Sequence, residues 1–547
     1  AVLLSFDDGY ETMYNVVFPL LKAYNYPAVF APVTGWLDTP ANQKIAYADK
    51  MLDRSVFATW SQVKEMEQSG LVEIASHTHN LHNGINANPS GGQLPSVIAP
   101  EYKNGKYETE DAYKNRLKSD FTRTVQTLVN HIGKKPRVMV WPYGQFNDVA
   151  VQLARQAGMP HYFSLGEKII NKVGDKHIGR LLLNAETDLN TVKNYLDGID
   201  ESKQIQRVLH VDLDYVYDAD KAQQAKNLDK LIDRIYRYGV TTVYLQAFSD
   251  PDGDGVADAL YFPNKYLPVR DDIFGRIAWQ LQTRAGVQVY AWMPVLAFDL
   301  RKGVKEAEYV IDSRTGKPST KAYLRLSPYN KQNVEIIKSI YNDLSFYAKF
   351  NGILFHDDAF LTDFEGAEGD HAEGMVSPQA KQKTQDLIQL THQLTDALKP
   401  YFLRGSYSLK TARNLYASVI TNPNAEEWLA QNLKTLTDNY DTTAIMAMPY
   451  MENEQPISQK EAYQWFASLI ENVKAQAPLE KVLFEFQAVN WRTQKPIPES
   501  ELIDWMTLLQ KNHIYSYGYY PDNFLTNQPD MNKMKPYFSV NTNAGKK

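Results

Sequence analysis

No cysteine occurs among the 547 residues. Disulfides and thiolate metal sites are therefore excluded, and because a cytosolic chain of this size usually carries a few thiols, the absence leans toward export. No run approaches the roughly 18 apolar residues of a membrane span, and no signal peptide opens the chain. It begins instead inside an apolar strand, so further sequence is expected upstream. Nor is there the basic excess that nucleic acid attracts. The net charge is −6, with 20 basic and 21 acidic residues up to residue 200, and 38 basic and 43 acidic ones after it. The acidic excess in the second part argues against a nucleic-acid partner and for a neutral or cationic ligand. What is present, 44% hydrophobic and 22% charged residues, describes a globular chain too long for one core. Two or three domains are expected.

The first ten residues, Ala1 to Tyr10, form an apolar run that ends on Asp7, Asp8 and Gly9. Such a run suits a buried parallel strand that delivers two carboxylates to its carboxyl end, where α/β proteins collect their chemistry. Adjacent strand residues face opposite ways, so the two Asp have different jobs. Farther on, His77, His79 and His82 follow another short apolar strand. A lone histidine in such a loop is more often a polar loop residue. Three beside an Asp-Asp strand end form a metal-binding set, since one carboxylate and two neutral imidazoles leave positions open for water and substrate. The residues alone leave His79 and His82 as alternatives for the second imidazole.

These stretches resemble the NodB-homology polysaccharide deacetylases, whose first motif is an Asp-Asp pair and whose second is a Ser/Thr-flanked His pair. The resemblance implies Asp7 as general base, Asp8 and His77 as ligands of one divalent transition ion (zinc, nickel, cobalt or iron), and a later His completing the set. The wider family spaces its two His four apart, a spacing absent here. A third motif, aromatic-Pro-Tyr-Gly, matches Trp141 to Gly144 and implies that the Tyr143 backbone amide holds the oxyanion. The Arg that often precedes this motif is replaced by Trp141, so its service to the base must come from elsewhere.

Around these motifs the chain alternates strand and helix. Helices are expected over 11–26, 57–70, 108–132, 148–158 and 189–196, with strands at Pro27 to Val33 and Arg180 to Leu183. Residues 83–105, rich in Asn, Pro and Gly, read as a loop. From residue 204 a second rhythm begins, and we count eight strand candidates: 208–214, 242–248, 287–295, 352–358, 404–414, 443–450, 481–487 and 516–522. Eight βα units predict a (β/α)8 barrel with its site at the strands' carboxyl ends. The expected organisation is thus α/β with two domains, a distorted (β/α) barrel over 1–203 and a TIM-type barrel over 204–547.

The barrel strand ends carry Asp212 and Asp214, Trp292, Asp357 and Asp358 with Asp363 beyond, Lys410 and Arg413, Tyr450, Glu485, and Tyr519 with Asp522. Carboxylates and aromatics along one rim are a carbohydrate-binding composition. The adjacent Asp357 and Asp358 also suit a glycosidase in which the substrate's acetamido group is the nucleophile, one carboxylate orienting the acetamide while the other protonates the leaving oxygen. The run from Asp250 to Gly255 resembles the start of an EF-hand loop, but Tyr261 stands where the bidentate Glu belongs, and it reads as a rigid Gly-rich turn.

Both halves in this order resemble the two-domain deacetylases of bacterial poly-β-1,6-N-acetylglucosamine export, over nearly the whole chain. This resemblance implies His82 rather than His79 as the ligand. It also implies periplasmic de-N-acetylation of the polymer by the first domain, and binding and endo-cleavage of the partly deacetylated chain by the second. It further implies a monomer that meets an outer-membrane export porin, anchored through an upstream lipid-bearing segment. The alternatives are a barrel that only grips the polymer during export, and a deacetylase for chitin or peptidoglycan.

Overall fold

The computed structural model describes residues 2–166, 170–184, 186–196, 205–319, 323–365, 376–405, 408–453 and 455–541. The chain folds into two units, Ala1–Ser202 with Lys399–Ser408, and Lys203–Leu398 with Leu409–Lys547. The segment Lys399–Ser408, of which the part from Arg404 reads in the sequence as the start of a barrel strand, folds with the first unit.

In the first unit, β1 (Leu4–Asp8) pairs in parallel with β2 (Ala28–Pro32), and β2 with β3 (Val72–Ile74). The sheet continues through Ser76, which donates to Val138 O at 3.0 Å and accepts from Val140 N at 2.8 Å. That carries it to β4 (Val138–Val140), β5 (His161–Leu165) and β6 (His177–Arg180), again parallel. Among the described residues no ladder joins β6 to β1. The Arg180 guanidinium spans that gap instead, donating to Ser5 and Asp7. The result is the expected distorted barrel, open at one seam.

The elements depart from the sequence expectation where local chemistry overrides the apolar pattern. Over 11–26, the single expected helix is a wide turn at Met13–Val17 followed by α1 (Phe18–Tyr24). Pro19 lacks the amide that a continuous helix would need there. Helix α2 (Trp60–Gln68) starts at a capping box in which Thr59 and Gln62 satisfy each other's backbone N–H. Helix α3 (Glu110–Ile132) starts at Thr109 and stops at Gly133, whose φ is 75°. The last strand lies at 177–180, not 180–183, because the Leu triplet is largely exposed while His177 to Arg180 carry the register with Tyr162 to Leu165. Inside the expected loop are two small hairpins, one turning on Asn104-Gly105 with both φ positive.

The second unit is a closed barrel of eight parallel strands: β7 (Arg207–Val211), β8 (Thr242–Gln246), β9 (Gln288–Met293), β10 (Gly352–Phe355), β11 (Lys410–Tyr416), β12 (Thr442–Met446), β13 (Val482–Gln487) and β14 (Tyr517–Tyr520). Closure occurs where β14 pairs with β7, and Gly518 permits it: a Cβ there would sit 2.5 Å from Val208 O. β7, β8, β10, β12 and β13 are buried along their whole length, as a strand covered by side chains inside and helices outside requires.

Candidate functional site

Asp7 and Asp8 close β1 and reach different neighbours because the backbone turns between them. Asp8 has φ 72° and Gly9 φ 104°, so the chain leaves the pleat at Asp8. Asp7 receives both arms of Arg180, at 2.8 and 2.9 Å. Asp8 faces the histidine loop, its Oδ1 3.4 Å from His77 Nε2 and 3.2 Å from His82 Nε2. Its Oδ2 accepts from Tyr47 OH at 2.8 Å. Burial works to raise the Asp8 carboxyl, but the hydrogen bonds and charge of His77 and His82 outweigh it and hold it far below the usual carboxylate range.

A turn at residues 76–82 brings the two imidazoles together across five positions. Its pivot is Thr78, a buried β-branched residue at φ 71°, a conformation that persists only where surroundings enforce it. Thr78 accepts from Leu81 N through its hydroxyl and donates its own N–H to Ser76 Oγ. Asp120, on α3, clamps the far side of the turn by accepting from His79 N at 2.9 Å and Asn80 N at 2.7 Å. Burial pushes the Asp120 carboxyl up to about 6 against those two donors. The His79 ring lies 3.0 Å from Thr34 Oγ1 and takes no part in the Asp8 cluster.

Whether a cation suits the cluster can be tested on its donors. The His77 Nδ1 atom is 2.7 Å from Val140 O, so Nδ1 carries a proton, and Nε2, which faces Asp8, would give up its own proton to bind a cation. Asp8, His77 and His82 each offer one ligand atom within 4.8 Å of the others. One carboxylate and two imidazoles on one side fit a divalent transition ion with positions left open. Aromatic rings wall the site, with Trp36 and Tyr143 at 5.1 and 4.6 Å from the His82 ring. Tyr143 sits at φ 58° and ψ 9° in the turn after β4. The sequence did not identify Arg180, Tyr47 or Asp120 as site residues; Arg180 was visible only as the start of an apolar triplet.

The barrel's rim residues separate into those at the mouth and those spent on the fold. At the mouth, Asp357 accepts from Tyr323 OH at 2.8 Å and Tyr416 OH at 3.1 Å, and lies 3.0 Å from His356 Nε2. The Trp292 indole donates to His356 Nδ1 at 2.8 Å, which leaves Nε2 as the protonated nitrogen facing Asp357. Trp292 also meets His210 and Tyr520 edge-on. Glu485 lies between His210 at 2.8 Å and Asn414 at 2.7 Å. Asp212 is buried, with Tyr520 OH 3.3 Å from its Oδ2 and no partner for its Oδ1. Burial and the charge of Asp214 push its carboxyl up to about 7. Asp214 itself is tied to Arg270, Ser249 and Tyr261.

Several expected binding residues are occupied elsewhere. Asp358 is wholly buried and accepts from the backbone N–H groups of Val295, Leu296 and Ala297, so it has no path to a leaving oxygen. Arg413 is equally buried, bonded to Tyr440 OH and Ala359 O. Lys410 opens β11 and therefore stands at the opposite end from the mouth, 3.5 Å from Asp441. Tyr519 and Asp522 form a buried group with Arg234, and strand parity gives the mouth to Tyr520 instead. Tyr450 bonds Glu501 through its hydroxyl, and Asp363 is half-buried beyond β10.

Residues 1–162 match the family model for polysaccharide deacetylase, and residues 210–520 that for hypothetical glycosyl hydrolase family 13. The chain is 40% identical over 566 aligned residues to the poly-β-1,6-N-acetyl-D-glucosamine N-deacetylase of Escherichia coli K12, covering 99% of this chain and 83% of that protein. A Staphylococcus aureus N315 protein of the same name is 27% identical over 202 residues, 37% of this chain and 60% of its own. Among solved structures, the PgaB (BpsB) glycoside hydrolase domain from Bordetella bronchiseptica superposes with a TM-score of 0.57 at 39% identity, over 62% of this chain and all of that domain.

Proposed function

The chain belongs to the poly-β-1,6-N-acetyl-D-glucosamine N-deacetylases, and from that premise we propose that its first unit hydrolyses the acetamides of this polymer at a divalent ion held by Asp8, His77 and His82. The observation that carries the reading is the meeting of these three side chains beside an Asp7 locked by Arg180. When bound, the ion supplies Lewis acidity toward water and the amide carbonyl. Asp7 takes the proton of the attacking water. Arg180 fixes the plane of its carboxylate, and each Asp7 oxygen keeps a lone pair free for that proton. The Tyr143 amide faces the charge that develops on the carbonyl oxygen. Tyr143, which is exposed, offers an apolar face to the sugar, with the buried Trp36 behind the His82 ring.

For the second unit we propose binding and internal cleavage of the partly deacetylated polymer at the barrel mouth. Deacetylation leaves ammonium groups, and the mouth answers with carboxylates. Asp357, held by three donors, is placed to orient an acetamide, while Asp212, pushed up to about 7, retains the proton that a leaving oxygen needs. Incubation with β-1,6- and β-1,4-linked N-acetylglucosamine oligomers, followed by assay of acetate and of product length, tests both parts. Acetate from the β-1,6 series alone, with shortening only after acetate release, is expected. Equal acetate from β-1,4 oligomers would contradict the substrate, and unshortened products would leave the barrel a binding scaffold.

A further inference from the structure

The ten residues Lys399–Ser408 fold with the first unit, although the chain on either side of them builds the barrel. We propose that this segment is a positioning element for deacetylation, holding the Trp141–Gly144 turn so that the Tyr143 amide stays aimed at the reacting carbonyl. The inference rests on the deacetylase reading above and adds residues that no sequence motif marks.

The segment holds the residues that follow the turn and touches the turn itself at Gly144. Phe146 N–H donates to Arg404 O at 3.1 Å and Arg404 N–H to Phe146 O at 2.8 Å, while Val149 N–H donates to Pro400 O at 3.2 Å. The Arg404 side chain bonds Asp148 Oδ1 at 2.8 Å, with its guanidinium 5.3 Å from the Phe146 ring centre. Phe146 in turn stacks on Trp141, ring centres 5.7 Å apart and planes 16° from parallel. Closest of all is Gly405, at φ 142°, where a Cβ would meet Gly144 O at 2.6 Å. On its other side Gly144 is equally confined, since a Cβ there would meet the Leu165 side chain at 2.7 Å.

These contacts matter because Tyr143, between Pro142 and Gly144, has a left-handed backbone that a residue with a Cβ does not adopt freely. Such a conformation survives only where both neighbours are fixed. Pro142 is fixed by its ring and by β4; Gly144 is fixed by Leu165 and by Gly405. A side chain at position 405 would push the Gly144 carbonyl away and, through the Tyr143–Gly144 peptide between them, turn the Pro142–Tyr143 peptide that carries the Tyr143 N–H. Donors to a developing oxyanion act only when set at the right distance and angle, so a small rotation lowers kcat without weakening substrate binding.

Gly405→Ala in the full chain is the test. Acetate release should fall about 10- to 100-fold in kcat, less than the roughly 10²- to 10³-fold for a lost oxyanion donor. KM should stay within about twofold and Zn2+ affinity by calorimetry should not change. Full kcat in a folded Gly405→Ala variant overturns the inference, and so does a loss confined to KM or to Zn2+ binding. If that variant does not fold, Arg404→Ala and Asp148→Asn decide. Each should lower kcat several-fold, and the double variant should be no worse than Arg404→Ala alone, because that change already removes the Asp148 contact. Unchanged kcat in these overturns the inference. Absence of acetate release by the unaltered chain would instead refute the deacetylase reading.

Discussion

At the scale of single residues, the chemistry turns on two neighbouring carboxylates being given different partners. Asp7 is bound to Arg180 and Asp8 to two imidazoles. Asp7→Asn should therefore keep the ion, measured by Zn2+ titration, while acetate release falls on the order of 10²- to 10⁴-fold as for loss of a general base. Loss of the ion in that variant would show that the two roles are exchanged. His82→Ala should lose Zn2+ affinity while His79→Ala keeps it, since the His79 ring is engaged by Thr34. The Asp-Asp pair and the histidine cluster were legible because their residue types and order carry the chemistry. Arg180 was not, because the sequence distance between it and Asp7 is closed only by the curvature of the sheet. Asp358 misled for a related reason: adjacency in sequence says nothing of which carboxylate turns inward to backbone amides and which faces the mouth.

At the scale of elements, the site is held by turns and caps more than by strands. The eight barrel strands were legible because each is an apolar run of the right length that ends in polar residues, and the observed strands lie within or beside every candidate. The short hairpins and the split of the first helix were not, since they depend on Asn104-Gly105 and on Pro19 rather than on periodicity. Helix α2 packs Val63 and Met66 into the core against Phe57 and Leu128, and its start depends on Thr59. Thr59→Ala should cost about 1 kcal/mol of stability. A urea midpoint lowered by that amount, with kcat/KM for acetate unchanged, is the expected result; a loss of activity would mean that the cap reaches the site.

At the scale of the whole molecule, the two proposed chemistries fall to two units of one chain. Asp357→Asn should abolish shortening of the polymer and leave acetate release untouched, as followed by product length and acetate in one reaction. The barrel mouth also has a pH signature. Burial and Asp214 raise the Asp212 carboxyl from 3.8 to about 7 in the folded state. The folded chain thus binds more protons than the unfolded one across that interval. The stability this group permits is complete below about pH 4 and lost as pH rises through about 7. Asp212→Asn should then be more stable than the unaltered chain above pH 7 and equal to it near pH 4, read from unfolding midpoints across that range. A variant equally destabilised at both values would contradict the assignment.

The deacetylase proposal stands or falls on a divalent ion at Asp8, His77 and His82. The most direct measurement is acetate release from a β-1,6-linked N-acetylglucosamine oligomer by the full chain, after removal of divalent ions with a chelator and again after addition of zinc, cobalt or nickel. Release should vanish on chelation, return with at least one of these ions, and fail to return in the His82→Ala variant. Undiminished release by the chelated chain, or recovery in His82→Ala equal to that of the unaltered chain, would contradict it.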